Sequence, residues 1–110
     1  MTDEKVLAAH VDEFIRLIKD TRKYQDYVHM CEVLAAEPEI SEKVREFRRE
    51  NYFLQHAPEN EDIYDRVAEL RLRNEELLSR PEVYDYLMAE WEFFRLVQEL
   101  FDRIMERMDF

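Results

Sequence analysis

No glycine occurs anywhere in these 110 residues, and only three prolines interrupt them. Hairpins, tight turns and strand bends draw on glycine because it enters positive φ without a Cβ clash. A chain without it is steered towards helices joined by short connections. The same absence removes the phosphate-cradling loops of nucleotide-binding proteins, whose backbone must approach the ligand closely. At this length the chain reads as one all-helical domain, residues 1–110, with a single core.

The longest helical pattern runs from Pro81 to Met108. Val83, Leu87, Glu90, Phe94, Val97, Phe101, Ile104 and Met108 recur with strict 4,3 spacing, which places them on one stripe of a helix. Tyr86, Ala89, Phe93, Leu96 and Leu100 form a second stripe beside it. A helix with two adjoining apolar stripes must be covered from two sides. The first stripe is expected to close the core, leaving Tyr86, Phe93, Leu96 and Leu100, with Glu90 and Trp91, as the candidate contact with a second copy or another partner. At least a homodimer is expected, with the last helix in its interface.

Upstream, Thr2 is a candidate N-cap, and Leu7, Val11, Phe14 and Ile18 mark the buried face of a first helix ending near Thr21. The next segment, with Tyr24, Tyr27, Val28, Cys31, Leu34 and Ala35 at helical spacing, either continues the first helix or follows a bend near Thr21 to Lys23, and the bend is expected. Pro38 opens a third, with Ile40, Val44, Phe47, Asn51 and Leu54 on its stripe and a stop near Ala57 and Pro58. Asn60 caps a fourth, with Ile63, Val67, Leu70, Asn74 and Leu77. The expected architecture is a bundle of four or five helices, with helices three and four in an antiparallel hairpin.

Asn51, Asn74 and Glu90 interrupt otherwise apolar stripes. Either the stripe rotates there and each side chain reaches solvent, or the three form a polar layer that sets register. Charged residues make up 39% of the chain, 27 acidic against 16 basic, for a net charge of -11. Such a surface repels phosphate backbones and anionic lipids, so direct binding to nucleic acid or membrane is disfavoured. Acid and base three or four apart on a helix each contribute about 0.2–0.5 kcal/mol, the usual meaning of runs such as Glu42 to Glu50. Arg66, Arg71, Arg73 and Arg80 are less evenly balanced and form a candidate docking patch for an acidic partner, set against a plain solvated face.

No catalytic constellation stands out, and no cofactor or metal site is assigned. Asp26 and His29 have the i, i+3 spacing of di-iron bundle ligands, but no second such pair exists. His10 reads as a boundary residue with one satisfied nitrogen, and His56 falls in a last helical turn where a cation suits the dipole. Cys31 lies two positions from His29, so the two point apart. A small buried thiol is the simpler reading, with a redox or metal sensor using Cys31 and His29 as the alternative function. One cysteine makes no internal disulfide, and neither a signal segment nor a run of about 18 apolar residues is present, so a cytoplasmic protein is expected.

The order of these features resembles the YlbF/YmcA family of small bacterial regulatory proteins. The resemblance rests on Tyr24-Gln25-Asp26-Tyr27, Glu37-Pro38-Glu39, Phe47 with Asn51 and Gln55, Leu77 to Val83, and Tyr86 to Glu90. It implies an all-helical, often oligomeric cytoplasmic protein linked to competence, sporulation and biofilm control. It also implies a possible related helical subunit, or the membrane-bound endonuclease RNase Y, as partner in RNA processing. Some members bind iron–sulfur clusters through cysteines near the C-terminus. This chain has none in its last thirty positions, and one thiolate does not hold a four-iron cluster.

Overall fold

The computed structural model describes residues 1–56 and 62–109, and 88% of them are helical. The described residues contain six helices: α1 (Glu4–Lys19), α2 (Arg22–Ala35), α3 (Pro38–His56), α4 (Ile63–Arg73), α5 (Glu75–Leu78) and α6 (Pro81–Met108). The all-α class follows from the lack of glycine, and six helices rather than four or five follow from one asparagine. The Asn74 side-chain amide donates to the Leu70 carbonyl at 2.8 Å, competing with the backbone for that acceptor. The expected fourth helix therefore stops at Arg73, and a separate turn, α5, carries Leu77. The expected stop near Ala57 and Pro58 and the Asn60 cap lie outside the described residues.

The other boundaries follow local chemistry. Asp3, rather than Thr2, caps α1, its extended backbone letting the carboxylate accept the Lys5 N–H at 2.9 Å. The bend between α1 and α2 falls at Asp20 and Thr21. Thr21 Oγ1 donates to the Ile18 carbonyl at 2.6 Å and accepts the Tyr24 N–H at 3.3 Å, so it closes one helix and caps the next. Pro38 and Pro81 each take the first helical position, where a missing N–H costs nothing.

The chain divides into two compact units, one of residues 30–88 and one of residues 1–29 with 89–110. The first holds the core. Leu34, Val44, Leu77 and Val83 are buried together, with Ile40, Phe47, Tyr86 and Leu87 packed against them, and Leu70 is fully buried as well. Here α3 and α4 form an antiparallel hairpin, with Glu50 meeting Arg73 at 3.3 Å near the end of α4. Arg80 ties together the two proline-led helix starts, donating to Glu82 at 2.6 Å and lying 3.7 Å from Glu37.

The second unit is built differently. Tyr24 and Tyr27 of α2 meet Phe93 and Phe94 of α6, with Tyr27 stacked on Phe93 at 5.5 Å and Tyr24 edge-on to it at 5.3 Å. Among its described residues no side chain is buried.

Candidate interaction surface

Within the second unit, α1 carries Leu7, Val11 and Phe14 on the side its spacing marks as apolar, and all three are exposed. Val6, Ile15 and Leu17 widen this face and are exposed too, so the face read as buried is uncovered. Only Ile18 is half-buried.

On α6 the two stripes exchange the roles expected of them. Val83 and Leu87 join the core, but farther along the same stripe Phe94 is 53% exposed, Phe101 54% and Ile104 49%, with Val97 and Met108 exposed as well. The neighbouring stripe is the more covered one: Phe93, Leu96 and Leu100 are half-buried, and Tyr86 packs on the core. The physical reason is local to each contact. Phe93 is held by Tyr24 and Tyr27, and Tyr86 lies under the guanidinium of Arg48, 5.2 Å from its ring centre. Trp91 is exposed with Arg95 5.2 Å over its ring, and Glu90 is half-exposed. Both stripes have the alternating 4,3 spacing of a coiled-coil seam, so the periodicity marks two candidates without distinguishing the one that reaches solvent.

The arginines do not form one patch. Arg66 and Arg73, seven apart and so on one face of α4, line a groove with Glu50, Phe53, Leu54 and Glu69. Arg73 is paired with Glu50, Arg80 is held by Glu37 and Glu82, and Arg71 is exposed on another side of the helix. Two acids in the groove leave it mixed in charge.

Asn51, Asn74 and Glu90 are all half-exposed, so they make no buried polar layer, and Asn74 bonds its own helix end. His10 Nδ1 lies 2.9 Å from the Val6 carbonyl, which only accepts, so that nitrogen carries the proton. His56 stacks on Tyr52 with ring centres 4.0 Å apart. His29 is exposed, and Cys31 is half-buried and lines a cavity with Arg45 and Arg48. Among the described residues, no three histidine, cysteine or acidic side chains lie together so as to hold a metal ion. No helix among them is long and apolar enough to cross a membrane.

A family model described as control of competence regulator ComK, YlbF/YmcA, matches residues 7–109, nearly the whole chain. No curated protein and no solved structure matches.

Proposed function

This chain belongs to the YlbF/YmcA family, and on that premise we propose that it is a non-enzymatic regulatory adaptor that works by association with other proteins. The observation that carries the reading is the apolar surface of the second unit: α1 and the outer stripe of α6 expose large side chains there while the buried core lies in the other unit. Surfaces of this kind mark association sites, and a 4,3 stripe suits a partner helix. In this reading the chain forms at least a homodimer through α6 in the cytoplasm. It then docks a related helical subunit or RNase Y, in control of competence, sporulation or biofilm formation, and its acidic surface keeps it from binding RNA or membrane directly.

Sedimentation velocity at micromolar concentration tests the association, with the double variant Phe101→Asp, Ile104→Asp as control. The wild-type chain is expected to sediment as a dimer or larger and to co-purify with RNase Y from its host, and the variant to do neither while keeping its helical circular dichroism. A stable wild-type monomer that brings down no nuclease sinks the proposal.

A further inference from the structure

We propose that the apolar face of α1 on one copy of this chain packs antiparallel along the outer stripe of α6 on a second copy, and that a two-fold axis repeats the contact in the other direction. The inference rests on the adaptor reading and names the surfaces its dimer uses. Every residue from Glu4 to Leu17 is exposed, so over that length α1 gains little from burial within its own chain. An isolated helix of 16 residues is marginal in water, because most helical stability comes from what covers the apolar face. A cover for α1 is therefore required, and the second copy carries one.

The two faces fit each other in spacing, area and charge. Leu7, Val11 and Phe14 advance by four and then three, and so, read backwards, do Met108, Ile104 and Phe101. In antiparallel packing Leu7 meets Met108, Val11 meets Ile104 and Phe14 meets Phe101. From the fractions exposed, each face offers roughly 600 Å² of apolar residue surface, short of the about 800 Å² per partner of a standard interface. Together they exceed it, and a reciprocal two-fold contact covers both at once. Residues 1–29 with 89–110 hold twelve acids and eight bases, net -4, against fifteen and eight, net -7, in residues 30–88. Two copies thus meet through the less charged unit. Direction follows from the helix ends. Asp3 and Glu4 stand at the start of α1, and Arg16 and Lys19 lie in its last turn. Arg107 lies in the last turn of α6, while Glu90 and Glu92 precede the exposed stripe. Antiparallel packing brings the acidic start of α1 towards Arg107 and its basic end towards the two glutamates, whereas parallel packing sets like charges together.

Disulfide trapping tests the pairing on full-length chains in a Cys31→Ser background, each carrying one introduced cysteine. Chains with Val11→Cys and Ile104→Cys are oxidised with copper phenanthroline separately and after mixing, and the linked dimers are identified by mass spectrometry. The mixture is expected to yield at least tenfold more disulfide dimer than either chain alone, because the dimer holds the two thiols at an effective concentration far above micromolar. A mixture of Leu7→Cys and Val97→Cys, which a parallel arrangement would link, is expected to stay unlinked. The double variant Leu7→Asp, Val11→Asp is expected to sediment as a monomer while keeping its helical circular dichroism. Equal linking by Ile104→Cys alone, linking of Leu7→Cys to Val97→Cys, or a dimer that persists in the double aspartate variant overturns this inference and leaves dimerisation through α6 standing. A monomeric wild-type chain overturns both.

Discussion

Leu70 and Leu72 stand two positions apart in α4, rotated by about 200° around the helix axis. Leu70 has no exposed surface, whereas Leu72 is 70% exposed. Leu70→Ala is expected to destabilise by about 3 kcal/mol through lost transfer energy and the cavity left behind. Leu72→Ala should stay within about 0.5 kcal/mol of the wild type, and urea denaturation distinguishes the two. The Arg80 clamp yields a pH effect of defined sign. The hydrogen bond from Arg80, helped by the backbone N–H of Glu82 itself, holds the Glu82 carboxyl below its ordinary value of 4.5. A group depressed in this way contributes stability that is complete above the unfolded value and is lost as pH falls through the lower, folded one. Glu82→Gln is therefore expected to flatten the acid-side decline in melting temperature below about pH 4.5 and to remove the clamp's contribution at neutral pH. Identical acid profiles for both proteins refute this.

At the scale of elements, the two halves of the molecule obey different constraints. Helix α3 follows its sequence stripe closely: Val44 is buried and Ile40, Phe47, Asn51 and Leu54 are half-covered, because α4 and α5 pack along it. Helix α6 departs from its first stripe after Leu87, where Tyr24 and Tyr27 take Phe93 and the positions from Phe94 to Met108 turn outward. Periodicity reveals that two stripes exist and says nothing of which will be covered, since both satisfy the same spacing rule. The junction of α1 and α2 was legible because its cause is local. Thr21 uses one hydroxyl for both helix ends, so Thr21→Ala is expected to cost about 1 kcal/mol and to loosen this junction first. Hydrogen exchange should then speed up at Tyr24 while the amides around Leu70 keep their protection.

For the whole molecule, net charge and uncovered apolar surface pull in opposite directions. In the proposed dimer two copies at -11 each would repel, while apolar burial would draw them together. Raising salt from about 0.02 M to about 0.5 M shortens the screening length several-fold and should tighten self-association, as read by sedimentation. Weakening over that range would mean that ion pairs, and not the apolar stripes, hold the proposed assembly. The sequence by itself determined the helical class, the proline-led starts and the family to which the chain belongs, and it favoured a bend near Thr21 over a continuous helix, because capping, missing glycine and feature order act within a few residues or survive as pattern. Only the tertiary structure decided that the core gathers in residues 30–88, that Asn74 splits a helix, and that α1 and the outer stripe of α6 are left bare. Those outcomes depend on which surfaces meet across long stretches of chain, and a helical stripe carries the need for a cover without naming it.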